Sequence, residues 1–279
     1  MKLNTVVEKQ QLNDTVCLLG VFNPAVATKA KAGQFVILQH ENSERIPLTI
    51  ADCNKEKGIV YVVFQQVGVS TAIINQAKLG DVIHHFVGPL GNHTNTNDAK
   101  YACVIAGGVG CAIALPVAKA LSQNGTKVDA ILGFRSQNLV FFEEKFQSVA
   151  STQIVTNDGS LGQKGLVTDV LVENLNKKQY FLVFVVGPLP MMKAVGDITK
   201  NCNIKTIASM NPIMIDGTGM CGGCRLTVGG QTRFACVDGP EFDGHQVDFD
   251  EAMERSRLYR EQERHAYERA CNLFGQEVQ

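Results

Sequence analysis

The sequence predicts a small β barrel followed by an α/β domain with a parallel sheet, then a short cysteine-bearing segment and a helical tail. Three observations lead there. Short β-rich stretches recur at even spacing from Val6 to about Asn97, separated by Gly, Asn or Pro, as in a small barrel. From Tyr101 the pattern changes to strand, glycine turn, helix, strand, the alternation of a parallel sheet covered by helices on both faces. Beyond residue 209 the chain turns to glycine and cysteine, and from Asp248 to a dense alternation of charges. The expected units are residues 1–97, 98–209, 210–246 and 247–279.

In the first unit the predicted strands run from Thr15 to Phe22, Gln34 to Gln39, Ile46 to Ala51, Ile59 to Gln66 and Val82 to Phe86, with a helix from Thr71 to Ala77. The polar string from Gly91 to Asp98 reads as a linker or long turn. In the second unit, strands are expected at Tyr101 to Ala106, Val128 to Gly133, Ile154 to Thr156 and Phe181 to Val186, with helices at Ala112 to Leu121 and Thr168 to Leu175. The stretch from Asp248 to Phe274 places Met253, Leu258, Tyr259, Ala266, Tyr267, Ala270 and Leu273 at loosely helical intervals. It reads as an amphipathic tail that either lies solvated on the surface or clasps a partner.

Gly107, Gly108, Val109 and Gly110 sit where a strand ends and a helix begins, so exposed amides and the helix dipole can receive a pyrophosphate. The turn is not a full GxGxxG, and a glycine pair there packs as often as it binds. Support comes from the ends of later strands, where Arg135, Asp158, Gly159, Gly187, Pro188 and Met191 fall, because in a doubly wound sheet those ends line one crevice. In the barrel, Arg45 precedes Ile46-Pro47-Leu48-Thr49, and Gly68-Val69-Ser70-Thr71 opens a helix. An arginine there can pair with a phosphate and helix-start amides can hold another. Each taken alone also reads as a strand arginine and an ordinary N-cap.

Asp216-Gly-Thr-Gly-Met-Cys221-Gly-Gly-Cys224, followed by Cys236, fills the plant-type CxxxxCxxC…C spacing of a 2Fe-2S cluster with Asp in the first ligand position. Glycines at 217, 219, 222 and 223 let the backbone wrap converging ligands. Zinc also accepts Cys and Asp but wants a second close ligand pair. A Cys221–Cys224 redox pair wants a following amphipathic helix. The other six cysteines, Cys17, Cys53, Cys103, Cys111, Cys202 and Cys271, stand singly, as small hydrophobes do.

Nine cysteines without a paired framework, and no secretory segment after Met1-Lys2-Leu3-Asn4, point to a reducing, cytoplasmic setting. The longest apolar run, Tyr180 to Val186, is too short for a membrane span. A net charge of −1, the absence of tryptophan and the lack of a basic cluster argue against nucleic acid as a partner.

In chain order, Arg45–Thr49, Gly68–Thr71, Gly107–Gly110 and Gly187–Met192 resemble the ferredoxin-NADP reductase superfamily, with its RxxS/T strand, GxxT helix start, glycine turn and GPxxMM element. The cysteine segment resembles the electron-transfer subunits of dihydroorotate dehydrogenase B. With Asp216 and the run from Ala235 to Asp243, it is still more similar to small subunits of NADH-dependent reduced ferredoxin:NADP oxidoreductases. The dihydroorotate type keeps Cys in the first ligand slot, and Val186 stands where many superfamily members place Cys.

The resemblance implies a ferredoxin reductase-like fold with FAD on the barrel, Arg45 near its phosphates and Pro47, Leu48 and Thr49 along the flavin. It adds Val63, Phe64, Gln65, Gly68, Ser70 and Thr71 as FAD contacts. It implies NAD(H) over Gly107–Gly110, Arg135, Asp158, Gly187 and Met191, and a cluster on Asp216, Cys221, Cys224 and Cys236. No side chain is expected to act as an indispensable acid or base, because the cofactors do the chemistry. The implied partner is a larger subunit with its own flavin and 4Fe-4S clusters that binds NADP(H) and couples ferredoxin to both nicotinamides by electron bifurcation. Two other readings remain: an electron-transfer subunit for dihydroorotate oxidation, and a flavin-bearing structural subunit without turnover.

Overall fold

The computed structural model describes residues 1–97 and 99–274, with side chains of the last helix described through residue 268. Asp98, the end of the polar string, and the tail side chains Ala270, Cys271 and Leu273 lie outside the described residues.

The first unit contains β1 (Thr5–Gln11), β2 (Val16–Phe22), α1 (Pro24–Lys29), β3 (Phe35–Gln39), β4 (Ile46–Asn54), β5 (Ile59–Gln65), α2 (Val69–Gln76) and β6 (His85–Leu90). Its strands form an antiparallel sheet in the order β1-β2-β5-β4-β3-β6, and a bridge between Thr5 and Val82 closes it into a barrel. β2 and β5 read as unbroken apolar runs because both their faces are buried. Leu19, Val21, Val60, Val62 and Phe64 fill the barrel, while Val16, Leu18 and Val63 pack outward on the second unit.

Three details differ from expectation. β1 has no counterpart in the sequence reading, since four of its seven residues are exposed and carry no apolar alternation. α1 was likewise unread, although Asn23 caps Val26 N at 3.1 Å and Pro24 occupies the first turn, a recognisable start signal. The last strand lies at His85–Leu90 rather than 82–86, past a Gly-Pro pair that reads as a turn. It pairs only with β3, so Pro89 sits on an edge where a missing donor is tolerated.

The second unit contains β7 (Tyr101–Gly107), α3 (Gly110–Gln123), β8 (Lys127–Phe134), α4 (Glu143–Gln147), β9 (Ser151–Thr156), β10 (Gln163–Lys164), α5 (Val167–Leu175), β11 (Leu182–Val186), α6 (Leu189–Asn201) and β12 (Lys205–Ser209). The sheet order is β10-β9-β8-β7-β11-β12 with one further strand beyond β12. Strand order reverses between β7 and β11, so a crevice opens at their carboxyl ends. At the opposite end, the buried carboxylate of Asp129 accepts from Tyr101, Tyr180 and Lys178 at 2.8, 2.6 and 2.5 Å.

The cysteine segment forms a hairpin, β13 (Arg225–Val228) and β14 (Gln231–Phe234), and then β15 (Glu241–Asp243). β15 is the extra strand, antiparallel to β12, so this segment shares the sheet of the preceding unit. The polar string is a strap as well as a connection. Asn92 donates its side-chain amide to the carbonyls of Val237 and Asp238 at 3.2 and 3.0 Å, and Thr94 donates to Glu241 at 2.5 Å. The tail divides into α7 (Phe249–Arg255), with Phe249 buried, and α8 (Arg260–Phe274), which packs on α2. No described helix is long and apolar enough to cross a membrane.

Candidate functional site

A crevice of about 820 Å³ opens where the parallel sheet reverses, between that sheet and the barrel. Gly107–Gly110, Arg135 and Gly187–Met191 line it together, so most of the expected nucleotide residues converge. The glycines there are dictated by contact. A Cβ on Gly110 would come within 2.8 Å of the Val186 carbonyl, and one on Gly187, whose φ is +151°, would come within 2.7 Å of Met191 Cε. The Gly108 amide is already donated to the Gly133 carbonyl at 2.8 Å. Of the amides opening α3, those of Cys111 and Ala112 donate to the Gly108 and Val109 carbonyls at 3.1 and 3.0 Å, and the turn lines the cavity at the positive end of the helix dipole.

Asp158 and Gly159 fall outside this crevice. Asp158 lines a separate shallow hollow together with Ser136, Gln137, Asn138 and Ser160. Ser160 donates its hydroxyl and amide to the Asp158 carboxylate at 2.6 and 3.0 Å, and these bonds hold that carboxyl below its usual range. Residues unread from sequence complete the crevice: Asn13 and Thr15 from the barrel, Asn157, and Met253, Ser256, Arg257 and Arg260 from the tail. Nothing in the spacing of the tail's charges signals a return to the strand ends.

On the barrel, Ser70 Oγ accepts the Glu44 amide at 3.0 Å, which sets the exposed Arg45 beside the start of α2. The first turn of α2 holds no acidic residue, and its leading amides lack intrahelical acceptors. This pairing of a guanidinium with unfilled amides suits a phosphate and fits the pyrophosphate end of a flavin dinucleotide. Four expected contacts are otherwise committed. Thr71 Oγ1 caps the amides of Val67 and Gly68 at 3.1 Å each, and the side chains of Leu48, Val63 and Phe64 are buried in the cores. Pro47 and Thr49 lie half-buried on β4, and Gln65 reaches the crevice, bonded to Thr15 at 3.3 Å.

The expected cluster ligands gather as two pairs. The carboxylate of Asp216, held below its usual range first by the Thr218 amide at 2.9 Å, also meets Cys221. Cys224 and Cys236 are both buried, with the Cys236 amide donating to Cys224 Sγ at 3.4 Å. Burial, and next the Cys224 thiol, push Cys236 up to about 12. Among the described residues no three His, Cys, Asp or Glu side chains come together around one point. A mononuclear zinc needs four, whereas a binuclear cluster asks for two ligands at each iron. The residues present therefore fit the 2Fe-2S group.

The loop is seated against the barrel. A Cβ on Gly217 would come within 2.7 Å of Leu90 and 3.2 Å of Ile37, and Ile37 is the strand partner of Pro47. The residue next to the expected ligand Asp216 thus lies close against the strand paired with β4.

Comparison with known proteins agrees with both halves of this geometry. The iron-sulfur cluster binding domain of dihydroorotate dehydrogenase B matches residues 211–248, and the oxidoreductase NAD-binding domain matches residues 104–197. A Thermotoga maritima homologue of the dihydroorotate dehydrogenase B electron transfer subunit is 41% identical over 98% of each chain. The electron transfer subunit of Bacillus pumilus dihydroorotate dehydrogenase B is 31% identical over 87% of this chain and 96% of its own. A chain of the NADH-dependent reduced ferredoxin-NADP oxidoreductase, solved in work on flavin-based electron bifurcation, superposes with a TM-score of 0.92 at 40% identity, covering 96% of this chain and 98% of that one. The chain belongs to the family of dihydroorotate dehydrogenase B electron transfer subunits and their homologues, oxidoreductase subunits that pair an NAD-binding domain with an iron-sulfur domain.

Proposed function

We propose that this chain is the NAD(P)H-dependent flavoprotein subunit of an electron-bifurcating, NADH-dependent ferredoxin:NADP oxidoreductase. Residues 1–97 carry FAD, 98–209 NAD(H), 210–246 the 2Fe-2S cluster, and 247–279 the tail. FAD supplies the conversion between a hydride on nicotinamide and single electrons on the cluster. The chain's own work is placement. Arg45 and the leading amides of α2 anchor the flavin phosphates, and β4 and the end of β5 support its ring. Gly107–Gly110, Arg135, Gly187, Pro188 and Met191 hold the dinucleotide, and Asp158 and Gly159 lie outside that crevice. Asp216, Cys221, Cys224 and Cys236 hold the metals.

The observation that carries this reading is the contact of Gly217 with Ile37, the strand partner of Pro47, which brings a cluster ligand to the flavin strand. A single 2Fe-2S centre takes one electron at a time, so a larger partner subunit is required. We assign it a second flavin, 4Fe-4S clusters, NADP(H) binding and the contact with ferredoxin. The unbridged cysteines suit a cytoplasmic setting.

The match of residues 211–248 to the dihydroorotate dehydrogenase B cluster domain favours a second reading, an electron-transfer subunit for dihydroorotate oxidation. Asp216 in the first ligand position separates the two. Anaerobic isolation of the native complex, with a visible spectrum and identification of its other chain, tests the assignment. A yellow-brown complex with a large cysteine-rich flavoprotein, bleached by NADH, is expected. A dihydroorotate-oxidising partner would select the second reading, and flavin that NADH never bleaches would leave a structural subunit.

A further inference from the structure

The charges around the crevice are sorted. The chain as a whole has 26 Lys and Arg against 27 Asp and Glu, yet the residues lining the crevice include Arg135, Arg257 and Arg260 and no carboxylate. None of these guanidinium groups has a hydrogen-bond or ion-pair partner among the described residues, whereas Arg225, Arg233, Arg255 and Arg264 all do. Like charges held around one cavity without counter-ions raise its potential and select an anion.

Arg257 and Arg260 arrive there because the tail is fixed at its root. Asp248 caps α7 by accepting the Glu251 amide at 2.9 Å, Lys193 on α6 pairs with Asp250 at 2.6 Å, and Phe249 is buried. Arg255 donates to the Gly223 carbonyl at 3.4 Å. From this anchored helix the chain turns through 256–259 along the crevice mouth, and α8 then leaves across α2. The matched cluster-binding domain ends at residue 248, so this wall is an addition to it.

We infer that Arg257 and Arg260 are the two prongs of a phosphate clamp that closes on the pyrophosphate of the bound dinucleotide from the side opposite the Gly107–Gly110 turn. This rests on the reading of the crevice as the NAD(H) site. The turn offers backbone amides and one helix dipole, neither of which carries a full charge. The tail supplies guanidinium forks, whose planar donors match phosphate oxygens two at a time. Because the pyrophosphate is common to NAD and NADP, the clamp adds affinity for both without choosing between them.

The test uses the native complex and calorimetric titration with NAD+ and with NADP+. Replacing Arg257→Gln and Arg260→Gln removes the charges at exposed positions, and unchanged flavin and iron content verifies folding. About a tenfold weaker NAD+ dissociation constant is expected for each single variant and about a hundredfold for the double, with a flatter salt dependence and an equal fold loss for NADP+. In wild type, saturating NAD+ should slow tryptic cleavage after Arg257 and Arg260. NAD+ binding that is the same in wild type and the double variant overturns the clamp while leaving the crevice reading intact. A loss confined to NADP+ overturns the pyrophosphate assignment. Failure of wild type itself to bind either nucleotide removes the crevice reading and the clamp with it.

Discussion

The dinucleotide crevice and the cluster loop achieve placement by opposite means. The crevice is built on the ends of β7, β8 and β11 and the starts of α3 and α6, where a dense core fixes every backbone position. Its glycines are contacts between rigid elements, as the 2.8 Å approach at Gly110 shows. The cluster segment from 211 to 224 has no helix or strand and is held from outside, by Ile37 and Leu90 beneath Gly217 and by Arg255 from the tail, while the strap at Asn92 and Thr94 holds the stretch that follows Cys236. A site on rigid elements is complete before its ligand arrives, while a site on a loop takes part of its order from the ligand.

That contrast can be broken most severely at Cys224. Cys224→Ser should abolish the cluster, with loss of iron and of the reduced-cluster paramagnetic signal, while NAD+ binding and flavin content persist. Iron retained at wild-type level would show that the loop does not depend on this ligand.

The next effect concerns the joint between the loop and the barrel. Burial pushes Glu241 up to about 7 against the opposing bond from Thr94. The folded state thus favours the protonated carboxyl, whose full stabilisation holds below the ordinary value of 4.5 and is lost as pH rises through about 7. The shift corresponds to about 3 kcal/mol. Glu241→Gln should flatten the melting temperature across this window, and an unchanged pH dependence would place the titration elsewhere.

On the rigid side, Gly110→Ala forces a methyl onto the Val186 carbonyl and should cost about 2 kcal/mol in unfolding free energy, with weaker NAD+ binding and intact iron. If only the iron were lost, the two regions would not be independent. Arg45→Ala should weaken FAD retention roughly tenfold through one charge-assisted contact, read as flavin released on dilution. The smallest change is expected for Asp216→Cys, which restores a four-thiolate set. Iron content should match wild type and the reduction potential should shift, since ligand charge distribution tunes it. Iron loss there would mean that the loop is shaped to an oxygen ligand.

Much of this was legible along the chain. The alternation of strand and helix after Tyr101 and the cysteine spacing after Asp216 are local patterns, and local patterns survive in a one-dimensional reading. β1 escaped because an exposed edge strand has no apolar period to display. The polar string from Gly91 looked like a plain connector because hydrogen bonds from Asn92 and Thr94 to residues 145 and 147 positions later leave no trace in composition. The buried state of Leu48, Val63 and Phe64 was equally invisible, since strand alternation is blind to a barrel that buries both faces.

By itself the sequence determined the order of the NAD-binding and iron-sulfur modules, the glycine turn and the cysteine spacing, because each depends on neighbours within a few residues. Only the tertiary structure decided that the cluster loop rests on the strand beside Pro47 and that two tail arginines reach the crevice. Those are meetings of segments far apart in the chain, and packing sets them.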